Sequence, residues 1–389
     1  MRMVVVTQQV DPASPVLGAT VPKLRALAER VDELVVIADS AVAGALPSTC
    51  TVRLFRSSTR VGRGLRFEAA LGLELARRPR PAAVLAHMCP IYAVLAAPLA
   101  RPLGVDVLLW FTHWRASRLL AAAERASTRV LSVDERTFPL RSRKLVAIGH
   151  GIDVATFACV ERPQRKPLTL LALGRTSPAK GLTTIVRASR QVPGVRLVVC
   201  GPSSTGEELR HRDELRGLVL ESGLEDRVEL RGPVPREEVA ALYAEADALV
   251  NDMRPGATDK VVYEAAATCL PVLASNPAFD GLLPEELRFE HGDVDGLATA
   301  IRRLGDADRL ALGRALRETV VAEHSVEAWA DRVVALASGS LRRGNHVSPA
   351  SSLLHDARTP GPASPPGRVN RPPGTSVEND GETSSRGGR

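Results

Sequence analysis

Leu168-Thr-Leu-Leu-Ala-Leu-Gly-Arg-Thr-Ser-Pro-Ala-Lys-Gly-Leu-Thr-Thr-Ile-Val-Arg187 is the stretch whose reading decides the fold. Leu168 to Leu173 is a continuous apolar run, the pattern of a strand buried on both faces. Gly174 ends it, and Arg175 and Lys180 flank a short polar loop. From Gly181 the period becomes helical, with Leu182, Ile185 and Val186 on one face and Arg187 outside. The pattern is strand, turn, helix. In a parallel sheet such a turn lies at the carboxyl end of the strand, where ligands bind. The helix start adds free amides and a positive dipole end. Two cations and a helix N-terminus around one point suit a multiply charged anion, most simply a diphosphate. The plainer alternative is a surface loop with two solvated cations.

Two common phosphate loops do not fit. Ala179 precedes Lys180 and Gly181 follows it, which is not a Walker loop, and Gly-x-Gly-x-x-Gly is absent. The segment instead resembles the Gly-Arg-x-x-x-x-Lys-Gly of retaining GT-B glycosyltransferases of the family 4 type. There the Arg and Lys hold the diphosphate of a sugar nucleotide, which would give Arg175 and Lys180 that role.

A second constellation runs from Arg254 to Ser275. Pro255-Gly256 turns the chain, Thr258 is a candidate N-cap, and Val261, Val262, Ala265 and Cys269 make a buried face. Glu264 lies one turn from Lys260. Either the two form a surface pair or Glu264 accepts both hydroxyls of a ribose, which suits a carboxylate. Glu264-Ala-Ala-Ala-Thr-Cys-Leu-Pro-Val272 resembles the same family's Glu-Ala-x-Ala-x-Gly-x-Pro-Val, with Cys269 in the usual Gly place. The resemblance implies the ribose role. It also places a second acid eight residues earlier, near the donor sugar. Gly256 stands there, and Asp259 is the nearest substitute.

The resemblance covers most of residues 3–335. His150-Gly-Ile-Asp-Val-Ala-Thr-Phe157 is similar to the family's junction segment and marks Gly151. Arg231-Gly-Pro-Val-Pro-Arg236 is similar to the loop under the nucleobase and marks Val234, with Gly201 close by. Trp110-Phe-Thr-His-Trp-Arg115 is similar to the strand end whose His faces the donor sugar, which marks His113 as catalytic. Gly18 lies in the loop before the first helix, and His87 ends another strand.

Elsewhere the chain alternates strands and helices. Met3–Thr7, Leu34–Ala38, Ala83–His87, Val105–Phe111, Arg129–Val133 and Leu145–Ile148 read as strands of one half. Arg196–Cys200, Val228–Arg231, Ala248–Asn251 and Pro271–Ala274 join Leu168–Leu173 in the other, with Leu287–Phe289 as a further edge. The expected architecture is α/β, two Rossmann-like doubly wound domains facing across a cleft. Residues 1–160 form the acceptor-side domain, 161–167 a Pro-flanked linker, and 168–325 the nucleotide-sugar domain. An amphipathic helix, 326–342, completes the first domain. Residues 344–389, rich in Pro, Ser, Gly and Arg, cannot bury a core and are expected to be a disordered tail.

At 389 residues, 44% apolar and 24% charged, the chain suits two full cores. No apolar stretch approaches a membrane span, and Met1–Val10 does not read as a leader. The five cysteines are scattered without Cys-x-x-Cys spacing, which predicts free thiols in a reducing cytoplasm and no metal site. Residues 1–150 hold 21 Lys and Arg against 11 Asp and Glu. That excess, including Arg53, Arg56, Arg60, Arg63 and Arg66, suits an anionic or lipid-linked acceptor and peripheral contact with the inner membrane face. No nucleic-acid motif accompanies it.

The expected function is metal-independent, cofactor-free transfer of a sugar, with retention, from a nucleoside diphosphate sugar. The alternatives are a catalytically reduced nucleotide-sugar binding protein and a sugar-nucleotide epimerase of the same architecture.

Overall fold

A computed structural model describes residues 1–14, 17–163, 166–256 and 258–340. The tail beyond 344 and part of the linker lie outside them. The first half runs β1 (Arg2–Val10), α1 (Thr20–Ala28), β2 (Glu33–Ala41), β3 (Thr51–Leu54), α2 (Arg60–Ala76), β4 (Ala83–His87), α3 (Pro90–Ala100), β5 (Asp106–Trp110), α4 (Arg118–Ala126), β6 (Arg129–Ser132) and β7 (Leu145–Ala147). The second runs β8 (Thr169–Leu173), α5 (Leu182–Arg190), β9 (Arg196–Cys200), α6 (Gly206–Glu221), β10 (Val228–Arg231), α7 (Val239–Glu245), β11 (Ala248–Asn251), α8 (Lys260–Ala267) and β12 (Val272–Ala274). Helices α9 (Val294–Asp306), α10 (Arg309–His324) and α11 (Val326–Ala337) follow.

Two parallel sheets result, ordered β3-β2-β1-β4-β5-β6-β7 and β10-β9-β8-β11-β12. Val4, Val5, Leu85, Leu108, Leu170 and Leu171 are fully or almost fully buried, as strands covered on both faces require. Each sheet reverses its winding direction once, between β1 and β4 and between β8 and β11, which opens a crevice at the carboxyl ends of those strands.

α11 closes the first half. The backbone of Ile152 donates to His324 and accepts from Val326, at 2.7 and 2.9 Å. Trp329 packs edge-on against Trp110 at 5.6 Å between ring centroids. The helix ends at Ala337, short of the expected 342, two residues before Gly339.

Three local expectations are corrected. Leu287–Phe289 is not a strand; Glu285–Leu287 is a 3-10 turn, and Arg288 makes one isolated bridge to Ala274. Asp259 rather than Thr258 is the N-cap of α8. The cysteines are not all free: Cys159 and Cys269 form a disulfide across 110 residues, while Cys50, Cys89 and Cys200 remain thiols. The cause is the course of the linker, which docks on the carboxyl end of α8. Val160 donates to the Thr268 carbonyl at 3.2 Å and Arg162 reaches the same oxygen at 2.9 Å. A cation there also meets the negative end of the helix dipole.

Candidate functional site

Every residue marked from sequence follows the carboxyl end of a strand. Gly18 follows β1, His113 β5 and Gly151 β7. Arg175 and Lys180 follow β8, Gly201 follows β9, and Val234 follows β10. Gly256, Asp259, Lys260 and Glu264 follow β11. Topology therefore gathers them on the ligand edges of the sheets.

In the loop after β8, Gly181 is the N-cap of α5 in a left-handed conformation, φ 59°. A Cβ there would lie 2.2 Å from a carboxylate oxygen of Asp252, so only glycine fits. Asp252 is fully buried. Its other oxygen accepts from Ser275, His291 and the Gly292 amide at 2.8, 2.8 and 3.2 Å. The start of α5 therefore shares its space with an acid that the sequence did not reveal.

Each cation of the loop is held by an acid. Lys180 Nζ pairs with Asp259, which also accepts from Asn251 at 3.0 Å. Arg175 Nη1 donates to Glu208 at 3.1 Å, and Glu208 is fixed in the capping box of α6 by the Ser204 and Thr205 amides. The Arg175 side chain stays 66% exposed, free to face a ligand. Gly201 lies against the backbone of Gly174 at the same strand ends.

Glu264 is buried, but its partner is not Lys260. It accepts from both terminal nitrogens of Arg236, at 3.2 and 3.3 Å, and from Tyr243 Oη at 3.3 Å. Arg236 also stacks over Phe157 at 5.8 Å, and a side chain on Gly18 would meet it at 3.3 Å. Arg236 thus stands between the loop after β1 and the carboxylate on α8. Val234, half-buried, packs against the hydrophobic core. Burial lowers the Lys260 pKa, while Glu264 opposes the shift.

On the other wall, His113 is exposed and accepts from the Arg115 amide at 3.0 Å. Its ring stacks on Trp114 at 5.6 Å. Desolvation, Arg115 and Arg175 lower its pKa. Gly256, φ 124°, faces Trp114: a Cβ there would lie 3.6 Å from the Trp114 Cβ. The place of the expected acid is therefore a glycine turned toward Trp114.

Behind this wall lies Lys23 of α1. It is 4% exposed, between Trp110 and Trp329 and packed on Gly151. Burial, then Lys260 and Arg236, bring its pKa down to about 7. His87, also buried, is brought to about 3 by desolvation and then Lys23. A single lysine among the buried residues of α1 carries no periodic signature in the sequence.

A cavity of about 550 Å³ lies elsewhere, at the amino ends of β8, β9 and β10, lined by Thr169, Arg196 and Val228 among others. None of the marked residues line it. Among the described residues, no three His, Cys, Asp or Glu side chains are grouped to hold a metal ion.

Residues 167–306 match the family model described as glycosyl transferases group 1. Across 87% of its length the chain superposes on sucrose-phosphate synthase from Thermosynechococcus elongatus, covering 99% of that structure at TM-score 0.69 and 21% identity. Anabaena HepE in complex with UDP is covered completely, at TM-score 0.71 and 16% identity, again over 87% of this chain. The chain has the GT-B fold.

This GT-B chain is also similar to proteins named D-inositol 3-phosphate glycosyltransferase. The one from Mycolicibacterium smegmatis is 29% identical over 61% of this chain and 56% of its own length. The one from Actinosynnema mirum is 33% identical over 46% of each. The chain spans about half the length of the curated relatives it matches.

Proposed function

We propose that this GT-B protein is a glycosyltransferase that moves a sugar from a nucleoside diphosphate donor to an acceptor hydroxyl. The observation that carries the reading is one geometry: Arg175 and Lys180 at the end of β8, with a buried carboxylate, Glu264, on the next ligand-side helix. A diphosphate and a ribose are joined in one ligand, a nucleoside diphosphate sugar. The matches to glycosyl transferases group 1 and to a fold neighbour solved with UDP support it.

In the reaction the bond from the anomeric carbon to the diphosphate oxygen breaks. Negative charge grows on that oxygen, and Arg175 and Lys180 stabilise it without reorganising. Both cations are already held in place by Glu208 and Asp259, so binding exchanges one anion for another. Glu264 would take the ribose hydroxyls as Arg236 turns aside. His113 donates to a donor-sugar hydroxyl, and the acceptor proton passes to the leaving phosphate with retention at the anomeric carbon. No metal or cofactor enters this scheme. Gly18, Gly151, Gly201, Val234, Gly256, Asp259 and Lys260 line the donor. The acceptor is an anionic or lipid-linked hydroxyl compound, which the basic first half and the phosphorylated acceptor named in the inositol-phosphate relatives both favour.

Matched panels of UDP, GDP, ADP and dTDP sugars in a thermal shift assay test the binding half of this proposal, since the true donor stabilises as RT ln(1 + [L]/Kd). Transfer or slow donor hydrolysis tests the chemistry. Gly256 at the expected acid position favours a second reading, a binding protein with reduced turnover; binding without either reaction would select it.

A further inference from the structure

The bridge between Cys159 and Cys269 has two unequal ends. Cys159, on the segment leading into the linker, is exposed, whereas Cys269, just past α8, is buried. A thiolate arriving from solvent therefore attacks the Cys159 sulfur and makes Cys269 the departing one. Cys50, Cys89 and Cys200 are unpaired, so among the described residues no other bond answers to thiols.

The segment that the bridge fastens backs the candidate ribose site. Phe157 is buried two residues before Cys159. Its ring meets Tyr243 edge-on at 5.9 Å, and the Arg236 guanidinium lies over it at 5.8 Å. Tyr243 and Arg236 are the side chains that hold Glu264. Three residues after Cys159, Arg162 donates to the carbonyls of Tyr243 and Thr268 at 3.2 and 2.9 Å. Both flanks of Cys159 thus rest on the partners of one buried carboxylate, and the bridge pins them to the helix that bears it. Opening the bridge frees this segment. Phe157 then backs Arg236 less firmly, and Arg236 leaves Glu264 at lower cost.

We propose that Cys159 is a thiol-exchange site and that the closed bridge locks Arg236 onto Glu264, so that reduction opens the candidate donor site. The reactant is a low-molecular-weight thiol. Its thiolate bonds to the Cys159 sulfur, the bond between Cys159 and Cys269 breaks, and the Cys269 sulfur takes a proton from water. A second thiolate displaces the first from Cys159, which leaves a dithiol protein and a small disulfide. The same small disulfide, acting in reverse, closes the lock. The exchange stands on the linker geometry alone; its effect on ligand rests on the donor reading of Glu264 given above.

The test equilibrates the full chain with reduced and oxidised glutathione in varied ratio and reads each cysteine by alkylation and peptide mass. In Cys269→Ser, Cys159 should carry the glutathione adduct; in Cys159→Ser, Cys269 should stay unmodified. Binding of the UDP, GDP, ADP and dTDP sugars is measured in both states, and the one that binds should tighten about fivefold or more on reduction. By reciprocity, it should lower the [GSH]²/[GSSG] needed for half-reduction by the same factor. Cys159→Ser should bind as the reduced chain does at every glutathione ratio. Hydrogen exchange on the unaltered, ligand-free chain is the independent arm, and it holds if a serine variant fails to fold: residues 157–162 and α7 should exchange faster after reduction. An adduct on Cys269 instead of Cys159, equal or weaker binding by the reduced chain, or unchanged exchange in α7 would overturn the proposal. If every sugar nucleotide fails to bind in both states, the donor reading falls, and the hydrogen-exchange arm decides the lock by itself.

Discussion

The guanidinium of Arg236 lies 3.2 Å from the buried carboxylate of Glu264. The pair spans the loop after β10 and the helix after β11, so the ribose role proposed for Glu264 requires Arg236 to give way. Glu264→Gln keeps the shape and removes the charge. Donor binding should weaken by about 1–3 kcal/mol, the difference between charged and neutral hydrogen bonds. A deoxyribose donor should show a smaller loss, because one hydroxyl is already absent. Titration calorimetry with both donors checks this, and equal losses would remove Glu264 from the ribose role.

Arg236→Met separates the two tasks of Arg236. It leaves Glu264 with Tyr243 alone, so ligand-free stability should fall by about 1–3 kcal/mol, below the range for fully buried pairs because the Arg236 side chain is 22% exposed. If Glu264 takes the ribose hydroxyls, donor affinity should hold or rise, since the competing partner of Glu264 is gone. A denaturant melt beside a binding isotherm reads both. A loss of affinity larger than the loss of stability would make Arg236 a donor contact rather than a gatekeeper.

Lys23 makes stability depend on pH. Its folded pKa is about 7 against an ordinary 10.5, so between these values the unfolded chain holds a proton that the folded one does not. Stability should therefore rise from pH 7 to 10.5, by up to a few kcal/mol. His87 and His324, each near 3 instead of 6.5, add a second loss as pH falls from 6.5 toward 3. Lys23→Met should raise the melting temperature near pH 7 and flatten the alkaline limb only. An unchanged alkaline limb would place the titration elsewhere.

The disulfide ties the linker to the end of the helix that carries Glu264. Closing 110 residues is worth up to about 4–5 kcal/mol in a chain-entropy account. Cys159→Ser should lower the melting temperature as much as a reductant does. Cys269→Gly should lower it less, because Cys269 sits at φ 57° and glycine relieves that strain, by roughly 1 kcal/mol. Alkylation under denaturing conditions should label Cys50, Cys89 and Cys200 alone. Labelling of all five would remove the bridge.

Much of this was legible in the sequence because buried parallel strands are continuous apolar runs. Leu168–Leu173 and Ala83–His87 could be read directly, and the polar residues after the first run became part of the candidate site. β3 and α2 were hidden by their setting. On the edge strand β3, Arg53 turns inward to Glu74 while Val52 and Leu54 face water, which inverts the usual alternation. α2 is apolar on two sides, so its period blurs into a run of arginines. The partners of Glu264, Lys180 and Cys269 are 28, 79 and 110 residues away, and no local pattern records such pairs.

Arg175 and Lys180 carry the firmest expectation. If both face the diphosphate, each single Ala variant should lower turnover more than ground-state binding, because charge on the leaving oxygen grows toward the transition state. The loss in kcat should be on the order of 10²–10³ for each. The double variant should lose less than the sum, since both groups act on one charge. Arg175→Lys should rescue only in part, because an ammonium cannot span two phosphate oxygens as a planar fork does. Ligand-free stability separates the two sites. The Arg175 side chain is two-thirds exposed, and its removal should leave the melt unchanged. Lys180 and Asp259 are 17% and 12% exposed, so Lys180→Ala strands Asp259 beside Asn251 and should lower the melting temperature modestly. Asp259→Asn tests that account: combined with Lys180→Ala it should restore the melt without restoring turnover. Normal turnover in Lys180→Ala would mean that its bridge to Asp259 is structural, and the diphosphate site would then have to be sought elsewhere in the cleft.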